Sequence, residues 1–214
     1  MMIGHEMYYG FWRYTTDANG QVTLMAYNGP GGTVCIPRRI AGRPVIRLAA
    51  QLFREDQCPI GRDGMAADPV EAAIIPEGVL EIGEMAFYCC RSLQRVRLPR
   101  SLRTLGRDAF SFCGALEEIS LPDGVQELPE GVFEGCTSLR AAWLPGALHT
   151  IGERAFAACG SLRDCPWPQG LQCIDDYAFE GCGMLSPGPL PRSVAYVGVD
   201  AFAGCRPATF AWAG

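Results

Sequence analysis

The sequence predicts a repeat solenoid, α/β or mostly β, in which short strands alternate with short helical or 3₁₀ turns. Three observations carry that prediction. Proline recurs every 23 residues at Pro76, Pro99, Pro122, Pro145, Pro168 and Pro191. Eleven residues after each stands Phe87, Phe110, Phe133, Phe156, Phe179 or Phe202, and three further on Cys90, Cys113, Cys136, Cys159, Cys182 or Cys205. The apolar positions between these markers hold the same register. One period shared by several residue types, with no insertion over six copies, is the signature of stacked coils. The period sets the coil but not its hand, right or left.

The elements follow in chain order. Two β-rich runs, Tyr8–Thr15 and Gln21–Tyr27, flank the turn residues Asp17-Ala-Asn-Gly20. That is a hairpin signal, and it predicts an N-terminal β-hairpin cap over the first coil, as solenoids require. The first coil is irregular. Ile36, Pro37, Val45, Leu48 and Phe53 fit the repeat with five extra residues between Pro37 and Val45. A second insertion, within Arg54 to Ala67, reads as a surface loop. The chain is expected to be one continuous domain. Residues 1–73 hold the cap and the irregular first repeat with its insertion, and 74–214 hold six regular repeats.

Within a repeat, the segment before each proline, such as Leu93-Gln-Arg-Val-Arg-Leu98, has inward residues at positions 1, 4 and 6. That pattern starts a leucine-rich repeat, with a strand lining one face. The Ala-Phe-x-x-Cys part has no room for a long helix and is expected to form a turn of helix or 3₁₀ on the opposite face. The phenylalanine fills the centre of the coil. Gly83, Gly106, Gly152 and Gly198 mark a tight turn, with Pro129 and Asp175 replacing glycine in two copies. Adjacent strands lie about 4.7–4.9 Å apart, so six coils span on the order of 30 Å.

The pattern Leu-Pro-x-x-(Leu/Val)-x-x-Ile-Gly-x-x-Ala-Phe-x-x-Cys-x-(Ser)-Leu, running from Ile74 to Cys205 without a gap, closely resembles the BspA-type leucine-rich repeat of bacterial and some protozoan surface proteins. Residues 27–45 resemble that family's opening repeat. The resemblance implies an adhesin or interaction module at the cell surface or secreted. It supplies no catalytic residues to carry over.

Composition narrows the classes. Hydrophobic residues make up 49% and charged residues 19%, which describes a folded chain. The net charge of −5 provides no basic footprint, so nucleic acid is not expected as a partner. No apolar run approaches the length that spans a bilayer, and Met1 to Tyr9 carries no secretory signal pattern. The eleven cysteines are read as free. Six belong to the ladder, Cys165 falls on an inward strand position, and free cysteine behaves as a small buried hydrophobe. Stacked cysteines have parallel Cβ vectors that do not face one another, and the spacing does not suggest zinc. Cys58 and Cys173 are the thiols expected to label first. No cofactor and no metal are expected.

An enzyme would need a nucleophile with a base. His149 and Cys173 fall on variable edge positions and His5 lies in the N-terminal tail, so no catalysis is expected. The outward strand positions are where a protein partner is read. Trp143 and Arg95, Arg97 and Arg140 fall on one face beside Glu117 and Glu118, and tryptophan and arginine are enriched at interface hot spots. Past Cys205 the pattern decays. Phe210 and Trp212 either turn inward to cap the last coil or face outward on an open edge that invites a second chain. The cap is favoured, which makes a monomer the expectation over an edge-paired dimer. Self-association through the exposed C-terminal edge is the alternative to a partner-binding module.

Overall fold

Strict alternation of inward and outward residues before each proline sets the strands of this computed structural model, which describes residues 7–53 and 69–207. The cap comes first. Strands β1 (Met7–Tyr9), β2 (Trp12–Thr16) and β3 (Val22–Tyr27) form an antiparallel meander. The run expected as one strand from Tyr8 breaks at Gly10, whose φ of 59° turns the chain. Between β2 and β3, the Asp17 carboxylate accepts the backbone N–H groups of Asn19 at 2.9 Å and Gln21 at 2.8 Å. A short acid side chain closes such a turn by mimicking a backbone acceptor.

The first coil holds β4 (Gly32–Cys35), β5 (Arg39–Ile40) and β6 (Arg43–Leu48). Its five extra residues make the β5–β6 hairpin, with Ala41 at φ 49° and Gly42 at φ 77°. Two successive positive φ values match the right-handed twist of a tight hairpin. Strand β6 pairs parallel with β3, joining the cap to the solenoid. The second insertion, expected within residues 54–67, lies outside the described residues.

The six regular repeats then build two parallel ladders, four of them contributing to the first and all six to the second. One is built from β7 (Val70–Ile74), β9 (Arg95–Arg97), β11 (Glu118–Ser120) and β13 (Ala141–Trp143). The other consists of two-residue strands after each proline: β8 (Glu81–Ile82), β10 (Thr104–Leu105), β12 (Glu127–Leu128), β14 (Thr150–Ile151), β15 (Cys173–Ile174) and β16 (Tyr196–Val197). On β13 the alternation is broken, since Ala141 is buried like Ala142 while Trp143 is exposed.

The opposite face departs from expectation. It holds consecutive turns, and none of the described residues is helical. The cause is a backbone alternation repeated in every coil. Met85, Asp108, Gly131, Arg154, Tyr177 and Asp200 have positive φ, and so do Cys89, Phe112, Gly135, Ala158, Gly181 and Gly204 four residues later. A left-handed residue on each side of the phenylalanine stops a helix from propagating. It also aims alternate N–H groups at the next coil. Asp108 donates to Glu130 O at 3.0 Å, Phe110 to Val132 O at 2.9 Å and Phe112 to Glu134 O at 2.6 Å. Intercoil bonds thus offset the backbone strain.

The glycines at the second corner act by size. A Cβ on Gly83 would lie 2.6 Å from the backbone nitrogen of Ala50, and one on Gly152 would lie 2.6 Å from the carbonyl oxygen of Leu128. Neither has a positive φ. Pro129 and Asp175 interrupt the column singly, so each side chain follows a glycine on the coil before it.

Seven rings form the axis of the core. Phe53, Phe87, Phe110, Phe133, Phe156, Phe179 and Phe202 stack with centroids 4.7–5.6 Å apart. Trp12 and Tyr27 close the first end. The ladder cysteines do more than fill space. Cys113 donates its thiol to Phe87 O at 3.1 Å, Cys136 to Phe110 O at 3.2 Å and Cys159 to Phe133 O at 3.1 Å. Cys182 and Cys205 repeat the bond at 3.1 and 3.3 Å. The carbonyls of Phe87, Phe110, Phe133, Phe156 and Phe179 therefore accept both from their own turn and from the next coil. Cys173, expected to label early, is half-buried and donates its thiol to Asp175 at 3.0 Å. Burial first, then the Asp175 carboxylate, pushes its pKa up to about 11. Among the described cysteines Cys35 is the exposed one, and Cys58 lies outside the described residues.

Candidate functional site

The outward residues of the first ladder meet in one groove. Alternation on β9 exposes Arg95 and Arg97, on β11 exposes Glu118 and Ser120, and on β13 exposes Trp143, which keeps 44% of its surface in solvent. Arg95, Arg97, Arg100, Glu118, Asp123 and Trp143 line a hollow of about 750 Å³. Val96, Leu98 and Leu121 line it too. A second hollow of about 320 Å³ lies on the other side of β9, against Thr33, Glu71 and Ile74, and Arg95 and Arg97 line both. The two arginines thus stand on a ridge with open space on either side.

The larger hollow lies where the ladder parts. Elsewhere a repeated bond ties each strand to the next: Ile36 N–H to Ile74 O, Ile75 N–H to Arg97 O and Leu121 N–H to Trp143 O, each at 3.0 Å. Leu98 makes no such bond among the described residues, and β9 and β11 belong to separate sheets. They remain joined at their starts, where Glu117 N–H donates to Gln94 O at 3.2 Å. The seam therefore opens toward the proline end. Val96 and Leu98 are half-buried there, while Ile119 and Leu121 one coil on are buried.

The rim of the seam is fixed by backbone contacts. The Glu77 carboxylate accepts the N–H groups of Arg100 at 3.1 Å and Ser101 at 3.3 Å. The Arg100 N–H is the main cause holding Glu77 below the usual carboxylate range. Ser101 in turn donates to Val79 O at 2.8 Å and accepts from Gly78 N–H at 2.9 Å.

Arginines divide by face. Arg107 pairs with Glu130 at 2.6 Å and Arg47 with Glu81 at 2.8 Å. Arg154 reaches Glu180 at 3.8 Å and lies over the Tyr177 ring at 5.0 Å. Arg95 and Arg97 have no carboxylate within ion-pair distance among the described residues. Two of the sequence candidates are drawn off the groove: Arg140 and Glu117 pair with each other at 3.6 Å and do not line it. Phe210 and Trp212 lie outside the described residues.

Sequence reasoning missed Arg100 and Asp123. A signal for them exists, since each directly follows a repeat proline, the position that bounds the strand face. His149 contacts Thr150 Oγ1 through Nδ1 at 3.2 Å, with Glu127 4.0 Å from Nε2. Among the described residues no histidine, cysteine or acid cluster has metal-ligand geometry.

Short parallel strands, a stacked aromatic axis and turns bonded coil to coil define a leucine-rich repeat solenoid. The chain belongs to the BspA type leucine rich repeat region family, whose model matches six copies over residues 60–186 and 173–211. It is similar to the crystal structure of the Treponema pallidum leucine rich repeat protein TpLRR. The two share 29% identity over 94% of this chain and 89% of that one, with a TM-score of 0.80. A leucine rich cell surface protein from Faecalibacterium prausnitzii is 25% identical over 97% of this chain and 55% of its own, with a TM-score of 0.82. A leucine-rich repeat protein from Bacteroides ovatus is 26% identical over 94% and 57%, with a TM-score of 0.67. The chain thus spans little more than half of the latter two proteins. No curated protein matches it. Among the described residues there is no helix long and apolar enough to cross a membrane.

Proposed function

We propose that this chain is a non-catalytic protein-interaction module, adhesin-like or scaffolding, that holds a protein partner on its strand-lined face. A cell-surface or secreted setting is part of the proposal, supported by the family and by the cell surface description of the Faecalibacterium relative. One observation carries the reading. Exposed Trp143 shares a groove with Arg95 and Arg97, which lack the ion pairs made by arginines elsewhere on the chain. Large aromatic and arginine side chains dominate interface hot spots. The test is affinity capture with the immobilised full chain, followed by affinity measurement on each captured protein. Trp143→Ala is expected to weaken binding at least about tenfold, the usual scale for a hot-spot truncation. Glu153→Ala on the turn face leaves it unchanged. Equal affinity for all three chains overturns the reading.

Self-association is the second reading, and the last described coil favours it. Val197 is 38% exposed, whereas its counterparts Ile82, Ile151 and Ile174 are fully buried under the next coil. Tyr196 and Val199 beside it are also exposed. Among the described residues β16 ends its sheet, and an unpaired edge is a template for pairing. Molar mass by light scattering separates the readings. A monomer at all concentrations removes self-association, and a mass that doubles with concentration establishes it.

A further inference from the structure

The geometry points to an extended acidic peptide segment as the occupant of the β9–β11 seam, with its carboxylates on Arg95 and Arg97 and an apolar side chain on Trp143. This inference rests on the proposed partner-binding face and specifies its chemistry.

Charge comes first. Arg95 and Arg97 protrude from the same strand two residues apart, exposed, with no carboxylate in ion-pair range among the described residues. Arg100 adds a third guanidinium at the rim of the same hollow. Guanidinium groups bind carboxylates through paired donors in one plane, so unpaired arginines on a ridge favour carboxylate ligands. Side chains two apart in an extended peptide point the same way and meet residues two apart on a strand.

The seam adds a backbone donor. The Leu98 N–H, whose counterparts at Ile75 and Leu121 are bound by the next strand, belongs to a residue lining the hollow. A peptide carbonyl or carboxylate oxygen seated there completes the bond that the ladder omits. Main-chain bonding at an unpaired strand with side-chain pockets alongside is a recurrent way to hold an extended peptide.

Trp143 supplies the apolar contact. It stands on β13, two strands beyond β9 and level with Arg97, which is about 10 Å across the strands at the usual separation between neighbours. A peptide lying along β9 with its acids on the two arginines reaches it through a large apolar side chain directed across the strands. The expected ligand therefore carries acids two apart and a large apolar residue beside them.

The far wall discriminates among anions. Glu118 and Asp123 line the same hollow. A polymer with a charge on every unit, such as a sulfated glycan or a nucleic acid, would have to run its charges past both carboxylates. A peptide places acids only over the arginines and crosses the acidic wall with neutral residues.

The test is selection from a displayed library of random twelve-residue peptides on the immobilised full chain, with heparin as the polyanion probe. Selected peptides are expected to be enriched in Asp and Glu. Their affinity should fall at least tenfold for Arg95→Glu/Arg97→Glu and less for Arg95→Gln/Arg97→Gln. Both positions are exposed, so melting temperatures serve to show that the variants remain folded. Selected peptides without acidic enrichment that still lose binding to Trp143→Ala overturn the acidic chemistry and leave the face as a protein site. Peptides indifferent to all of these variants, or no enriched pool, overturn both. Heparin binding that depends on the arginines and exceeds that of the peptides overturns the choice of a peptide.

Discussion

Phe133→Ala is expected to lower the melting temperature by about 6–20 °C, while Arg140→Ala lowers it by no more than about 4 °C. Phe133 is fully buried and stacks on Phe110 at 5.6 Å and Phe156 at 5.3 Å. Removing a core phenylalanine costs about 3–5 kcal/mol, since the cavity adds to the lost transfer energy. In a chain of this size each kcal/mol is worth about 2–4 °C. A solenoid spreads the damage, because its stability is a sum of coil and neighbour terms and the lost ring faces two neighbours. Arg140 is exposed and makes one ion pair, at 3.6 Å, with an equally exposed Glu117. Such pairs contribute about 0–1 kcal/mol and are screened by salt. Thermal unfolding followed by circular dichroism measures both variants. Equal melting temperatures would mean that the ring stack is not what holds adjacent coils together.

The solenoid was legible because its period is written in large side chains. Proline, phenylalanine and cysteine sit at fixed offsets, and the stacked rings confirm the register at every copy. The turn face was not legible. Left-handed backbone is usually announced by glycine. Here Met85, Asp108, Arg154, Tyr177 and Asp200 adopt it instead, and the intercoil hydrogen bonds that enforce it appear only once coils are stacked. A helical turn was the natural reading of Ala-Phe-x-x-Cys without them. The thiols were legible in part: free, and buried in the ladder at Cys113, Cys136, Cys159 and Cys182, as expected. Read as small hydrophobes, they are also donors to a carbonyl 26 residues earlier, a contact that no local pattern reveals.

The groove was half legible. Strand alternation by itself places Arg95, Arg97, Glu118 and Trp143 outward, and they line one hollow. The pairing of Arg140 with Glu117 depends on side-chain reach across coils. The seam at Leu98 leaves the period untouched, since Leu98 and Leu121 occupy equivalent positions 23 residues apart. A missing backbone bond between two well-formed repeats has no sequence signature. The feature that shapes the candidate site is thus the one that spacing cannot show.

Native alkylation is expected to separate the thiols by at least about a thousandfold in rate, with Cys35 fast and Cys113, Cys136 and Cys159 protected until the chain unfolds. The thiolate is the reactive species. Cys35 is exposed on β4, while the other three are fully buried. Burial pushes the Cys136 pKa up to about 12 and moves Cys113 and Cys159 in the same direction. At pH 8 a group with that pKa is ionised in about one molecule in ten thousand, and the reagent must still reach it through closed coils. The same shift makes stability depend on pH. The folded thiol has the higher pKa, so the folded state holds its proton more tightly than the unfolded chain. Its contribution is fully present below the unfolded value of about 9 and is lost as pH rises toward 12. For Cys136 alone the full loss is roughly 4 kcal/mol, at 1.36 kcal/mol per pKa unit. Melting temperature should therefore fall through that window, and Cys136→Ala should make the fall shallower. Iodoacetamide labelling resolved by peptide mass spectrometry, with melting curves from pH 8 to 11, reads both effects. Rapid native modification of Cys136, or a melting temperature that stays level while the alanine variant behaves identically, would show that the thiol column is open to solvent.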